Sequence, residues 1–170
     1  MKKIIAGVIA ILGFLLATAQ NKVQWKAAMG TPVPDFKFSP KGDTDSVTIQ
    51  AYKGKVVLIN FFATWCGPCR AELPRVQKEI WDQYKNNPDF ALFVFGREET
   101  REKLDAFVKQ TGFTFPVLAD PERKVFSQFA DQFIPRNVVI DKEGKIIYQS
   151  VGYEKEEFEK LLVVLKAHLQ

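Results

Sequence analysis

Cys66 and Cys69 are the only cysteines in the chain, and they stand two residues apart in Trp65-Cys66-Gly67-Pro68-Cys69. A pair at that spacing can close into a small disulfide and open again, which is thiol–disulfide redox chemistry. The spacing is too tight to staple distant parts of a fold, and bridging so small a loop gains little chain entropy. Zinc would need two further ligands. The only histidine, His168, lies near the C-terminus and reads as a solvated helix-end residue. The pair is therefore read as chemical rather than structural, with no metal and no cofactor expected.

The attacking species in such chemistry is the thiolate. A free thiol near about 8.5 is only a few per cent ionised at neutral pH, and a helix N-terminus stabilises a nearby anion by roughly 1–2 kcal/mol. That is about one pKa unit, enough to raise the ionised fraction to tens of per cent. The chain supplies such a helix. Val56 to Phe62 is a continuous apolar run of the kind buried on both faces of a sheet, and it feeds directly into the cysteine motif. After Cys66, Leu73, Val76, Ile80, Trp81 and Tyr84 recur at helical spacing up to Asn86-Asn87-Pro88. Pro68 suits the first turn, where no amide proton is needed, and Gly67 gives the backbone freedom to bring the sulfurs together. Pro74 falls inside the helix and should kink it. Cys66, at the helix start, is the expected nucleophile; Cys69, one turn in, is the expected resolving thiol.

The remaining elements must frame this corner. Residues 1–19 read as a secretory signal: Lys2 and Lys3, apolar Ile4 to Leu16, then Ala17-Thr18-Ala19 before a cut at Gln20. An uncleaved anchor is the other reading of the same stretch. Residues 20–30 form a loose lead-in with Trp25 as its large apolar anchor, and residues 31–170 form one domain. Phe36 to Phe38 and Val47 to Gln50 flank a Pro-Lys-Gly-Asp turn and suggest an N-terminal hairpin. Phe90 to Phe95 is a second buried strand, and Thr100 can cap a helix through Leu104, Phe107 and Val108 to Gly112. An extended piece, Phe115 to Asp120, leads to a short helix over Lys124 to Phe129. Val138 to Ile140 and Ile146 to Tyr148 flank a hairpin signal, and a final helix from about Lys155 carries a stripe from Phe158 to Leu169. This order gives an α/β fold, a mixed sheet with helices on both faces.

Charge excludes one class of partner. The chain has 24 Lys+Arg and 20 Asp+Glu. Lys2 and Lys3 belong to the leader, so 22 against 20 remain, a net +2 with the basic residues scattered. Nothing in that balance calls for nucleic acid. Glu98, Glu99 and Glu102 precede or open a helix and read as complements to its dipole.

Trp65-Cys66-Gly67-Pro68-Cys69 after an apolar strand, Pro74 five residues past the second cysteine, and Ile134-Pro135 before Asn137 to Ile140 resemble the thioredoxin fold. Pro34-Asp35-Phe36, Phe115 to Asp120 and Pro135 to Lys145 narrow the resemblance to the TlpA/ResA-like branch of extracytoplasmic thioredoxin-like proteins, over roughly Thr31 to Gln170. The resemblance implies a cis bond before Pro135, facing the cysteines, and a substrate-binding surface of Trp65, Gly67, Pro68, Ile134, Pro135 and Arg136. It also implies a catalytic role for Glu72. Cytoplasmic thioredoxins carry a buried aspartate at the position of Asn60, which cannot move a proton; in this branch a glutamate three residues past the second cysteine takes over. Arg136 stands where thioredoxin has a threonine, and there it could favour the thiolate, contact an acidic partner, or be a surface residue.

The expected function is that of an extracytoplasmic thiol–disulfide oxidoreductase reducing protein disulfides. The implied partners are apocytochrome c as substrate and a membrane thiol transporter as electron donor, with the protein itself a monomer. Two competitors are a peroxidase and a non-catalytic peptide-binding module. Peroxiredoxins share the Pro-Asp-Phe opening but need a threonine three residues before the peroxidatic cysteine and a proline further upstream, where this chain has Ala63 and Ile59.

Overall fold

The computed structural model describes residues 24–40 and 45–169. The leader with its cut at Gln20, and most of the turn after Pro40, lie outside the described residues.

Seven strands are numbered β1 (Lys37–Phe38), β2 (Val47–Thr48), β3 (Val56–Phe62), β4 (Phe90–Arg97), β5 (Val117–Asp120), β6 (Arg136–Ile140) and β7 (Ile146–Val151). The helices are α1 (Gly67–Arg75), α2 (Asp82–Tyr84), α3 (Arg101–Thr111), α4 (Phe126–Phe129) and α5 (Lys155–Leu169). β1 and β2 pair as a small antiparallel hairpin, while the other strands form one sheet in the order β5-β4-β3-β6-β7. β5, β4 and β3 run parallel; β6 and β7 are antiparallel additions. Parallel neighbours need crossovers, supplied here by α1 and α3.

Every residue of β3 is buried, because it is the central strand and is covered on both faces. Its side chains alternate between two cores. Val56, Leu58 and Phe62 face α1, α3 and α5, packing with Leu73, Val76, Leu104, Leu161 and Leu165. Val57, Ile59 and Phe61 face the hairpin and α4, packing with Phe36, Phe95, Phe126 and Phe129. Asn60 falls in the first set by the period-two rule. Its register partner on β6 is Asn137, so two amides sit side by side on the α1 face of an otherwise apolar sheet.

The helix after Cys66 is not uniform. Pro74 lies inside α1, where it has no proton to give the carbonyl four residues back. A wide π turn follows over Val76–Trp81 before α2 completes the rod, so the disturbance expected from Pro74 takes the form of a widened turn. α3 behaves as expected: the Thr100 side chain accepts from the Lys103 amide, and Gly112 ends the helix at φ 73°. Gly96 on β4 is a close approach, since a Cβ there would lie 2.6 Å from Leu104 Cδ2.

Val117–Asp120, within the expected extended piece, pairs with β4 as an edge strand. Three elements differ from the sequence reading, the first being the second hairpin strand, which ends at Thr48 and gives way to a 3₁₀ turn over Ile49–Tyr52 rather than running to Gln50. α4 starts at Phe126, later than Lys124, because the Asp120 carboxylate accepts from the Val125 and Phe126 amides and fixes its first turn there. The lead-in is docked: the Lys26 amide donates to Phe129 O, Gln149 Nε2 to Ala27 O, and the Gly30 amide to Ile146 O.

Candidate active site

β3 delivers the chain to the sheet edge, and Cys66 becomes the N-cap of α1 with φ −80° and ψ 111°. Its Sγ accepts from the Cys69 amide at 3.2 Å. An N-cap atom takes up one of the unpaired amides at a helix start, so a thiolate here would meet both that proton and the positive end of the helix. Cys66 and Cys69 are joined in a disulfide with Cα atoms 5.3 Å apart. The Ile134–Pro135 bond is cis, as the resemblance implied, and Ile134 O lies 3.8 Å from Cys66 Sγ. Pro135 is buried, whereas Gly67 and Pro68 are exposed.

Beneath the disulfide the surroundings turn polar. Glu72, one turn beyond Cys69 on the same buried side of α1, is 1% exposed. Asn60 Nδ2 donates to Glu72 Oε2 at 2.9 Å, and Asn137 Nδ2 donates to Oε1 at 2.6 Å. The two amides are also linked, Asn60 Nδ2 to Asn137 Oδ1 at 2.9 Å. Ser150 Oγ accepts from Asn137 at 3.3 Å. Burial pushes the Glu72 carboxyl up to about 7, and the two amide donors hold it back from rising further. A carboxyl that ionises close to neutral pH is suited to take a proton and give it back. Asn60 Oδ1 has no partner.

The strand before the motif is pinned from another side. Glu99, 1% exposed, accepts from the Thr64 amide at 2.9 Å and from Thr64 Oγ1. Glu102 occupies the first turn of α3 as expected. Glu99 instead clamps the residue before Trp65, and Glu98 pairs with Arg97 at 2.7 Å from a left-handed backbone.

Arg136 is corrected as a substrate contact. It is 1% exposed, with Nε and Nη2 donating to the carbonyls of Gln132 and Phe133 and its guanidinium 4.3 Å from the centre of the Trp25 ring. A side chain so committed grips the loop that carries Ile134 from behind. Trp65, by contrast, is 67% exposed. It borders an open cleft of about 350 Å³ that also touches Cys66, Pro68 and Ile134. A separate cavity of about 260 Å³ between β1 and β5 has neither cysteine in its wall.

Of the residues named from the sequence, the structure brings together the two cysteines, Glu72 and the cis-proline loop. It adds Asn137 and Glu99, which the sequence did not mark as neighbours of the pair. Asn137 was visible only as a polar interruption in an apolar strand, and pairing it with Asn60 required the β3–β6 register.

Residues 28–165 match the Redoxin family. The chain is 30% identical over 146 residues to the thiol-disulfide oxidoreductase ResA of Bacillus thuringiensis, covering 86% of this chain and 83% of that one. It is 31% identical over 169 residues to the thioredoxin-like protein YneN of Bacillus subtilis, covering 95% and 98%. Among solved structures it resembles a Bacteroides thetaiotaomicron protein assigned to the protein disulfide isomerases, with TM-score 0.81, 40% identity, and coverage of 86% and 93%.

Proposed function

The chain belongs to the Redoxin family, and from that premise we propose that this thiol–disulfide oxidoreductase works as a reductant of protein disulfides outside the cytoplasm. Cys66 is its nucleophile, Cys69 its resolving thiol and Glu72 the proton acceptor of Cys69. The observation that carries the assignment is the asymmetry around the disulfide, with Cys66 capping α1 beside the cis-proline loop and Cys69 packed one turn from Glu72.

Exchange proceeds in two balanced steps. The Cys66 thiolate attacks one sulfur of a substrate disulfide, forming a mixed disulfide and expelling the other substrate sulfur as a thiolate that takes a proton from solvent. Cys69 then passes its proton to Glu72 and attacks Cys66 Sγ. The Cys66–Cys69 disulfide forms, the second substrate sulfur leaves as a thiolate that takes up the proton released by Glu72, and two electrons have moved from the pair to the substrate. The backbone of Ile134, beside buried Pro135, is placed to pair with an extended substrate strand. Trp65, Gly67 and Pro68 form the exposed side of that contact.

The apolar leader supports an extracytoplasmic location, by secretion or by retention as an anchor. Among the described residues no helix is long and apolar enough to cross a membrane. Outside the cytoplasm the pair needs a dithiol donor, and a membrane thiol transporter fills that role. Apocytochrome c, with its haem-attachment cysteines, is the proposed substrate, met by a monomer.

The test is a Cys69→Ser variant expressed with its leader, expected to accumulate mixed disulfides with extracytoplasmic proteins. A reduction potential of the Cys66–Cys69 couple below about −230 mV is expected of a reductant, whereas a value near −120 mV would mark an oxidant and overturn the direction. Failure to speed dithiothreitol reduction of insulin would overturn the activity.

A further inference from the structure

Phe133 is a large aromatic residue that is 47% exposed and held at φ 64°. Each feature carries a cost. A left-handed backbone strains any bulky residue, and an exposed ring leaves apolar area in water. The strain is held in place from behind, where buried Arg136 donates through Nε to the carbonyls of Phe133 and Gln132 at 3.0 Å. The lead-in tightens the same loop through the Lys26–Asp131 ion pair at 2.6 Å.

The ring this arrangement projects lies on the cleft that also touches Trp65, Cys66, Pro68 and Ile134. Trp65 and Phe133 are two of the four large apolar residues exposed among the described ones, and both border the reacting sulfur. The charged member of the cleft, Arg97, is already matched: its guanidinium donates to Glu98 at 2.7 Å and lies 5.1 Å from the centre of the Phe126 ring. The walls therefore offer carbon surface and no unpaired charge.

We propose that Trp65 and Phe133 form a specificity cleft over Cys66 that takes an aromatic or branched aliphatic side chain two residues from the cysteine of the polypeptide being reduced. The occupant follows from continuity with the exchange site. Attack places the substrate sulfur against Cys66, and in an extended strand the side chain two positions from that cysteine shares its face and reaches the cleft lined by the two rings. This inference rests on the exchange reading above and adds the sequence class it favours.

Two disulfide-bridged peptides, identical except for Trp or Ser two residues from the cysteine, separate the two claims. Reduced wild-type protein is expected to react about tenfold faster with the Trp peptide, the range one buried apolar group commands. The Phe133→Asn and Phe133→Gly variants suit the left-handed backbone, and in both the preference should shrink to within about twofold. Thermal unfolding of each variant checks that the domain remains folded. Equal wild-type rates for the two peptides would overturn the cleft and leave exchange standing. A preference kept by both folded variants would remove Phe133 from it. No reaction with either peptide would overturn the exchange reading together with the cleft.

Discussion

The two sides of the Cys66–Cys69 disulfide are built from opposite materials. Outward lie Trp65 and Phe133, exposed rings on a cleft with no unpaired charge. Inward lie Glu72, Asn60 and Asn137, polar groups sealed within the core and bonded to one another. A surface that must accept many polypeptides gains from apolar, weakly directional contact. A group that must exchange a proton near neutral pH gains from burial, which raises a carboxyl, combined with hydrogen bonds that keep it within reach. The two sulfurs are chemically identical, and their surroundings differ in the way the proposed division between nucleophile and resolving thiol requires.

Removing the outward sulfur should have the largest effect. Cys66→Ala is expected to lower insulin reduction to the rate of dithiothreitol alone, since no nucleophile remains at the helix N-cap. Residual turnover through Cys69 would show that the buried sulfur reaches substrate, and the division of labour would fail.

Glu72→Gln tests the inward side through two readouts. It should slow resolution of a preformed mixed disulfide at neutral pH by about 10²-fold, the lower range for a positioned base. It should also flatten the pH dependence of stability. The native carboxyl ionises near 7, above its ordinary 4.5, so between those values the folded protein holds a proton that the unfolded chain has lost. Folding stability therefore falls as pH rises through that window; the penalty is absent below about 4.5 and complete above about 7. Its full size is about 3 kcal/mol by linkage. Urea midpoints of the oxidised wild type at pH 5 and pH 8 should differ in that direction, and those of Glu72→Gln much less. A wild-type curve as flat as the variant's would mean that Glu72 ionises normally.

The outward and inward sides were not equally legible in the sequence. The cysteine motif, the apolar strand and the helix start are local signals, read from spacing over some twenty residues, and they put Cys66 at the start of α1, where the structure has it. Glu72 was legible only through resemblance, because an acidic residue in a helix ordinarily faces water. Asn137 and Glu99 lie 65 and 35 residues from the atoms they bind, and only sheet register and loop packing bring them in. Arg136 misled for the related reason that its type suggests a surface, while its partners are carbonyls of its own loop and a ring from the lead-in.

Glu99 joins the two sides, since it is buried like Glu72 but holds the chain just before exposed Trp65. Glu99→Ala leaves the Thr64 amide and hydroxyl without their acceptor, at an expected cost of about 2 kcal/mol in urea unfolding. The cost should be similar in oxidised and reduced protein, because the clamp does not involve either sulfur.

Trp25→Leu should have the smallest effect and sharpens the comparison most. Trp25 touches neither cysteine; its ring covers the Arg136 guanidinium, which in turn holds the carbonyls behind Phe133. Leucine keeps some apolar cover but loses the cation–π contact, a cost of about 1 kcal/mol. The loss should fall on one loop. Amide hydrogen exchange is expected to quicken over residues 129–136 and to stay as in wild type around Asn60 and Glu72, because the inward network is bonded within the sheet and α1. If exchange quickened equally at both places, the two sides would be one cooperative unit. If it quickened only at the loop, the cleft could be retuned through the lead-in while the proton-handling side kept its geometry.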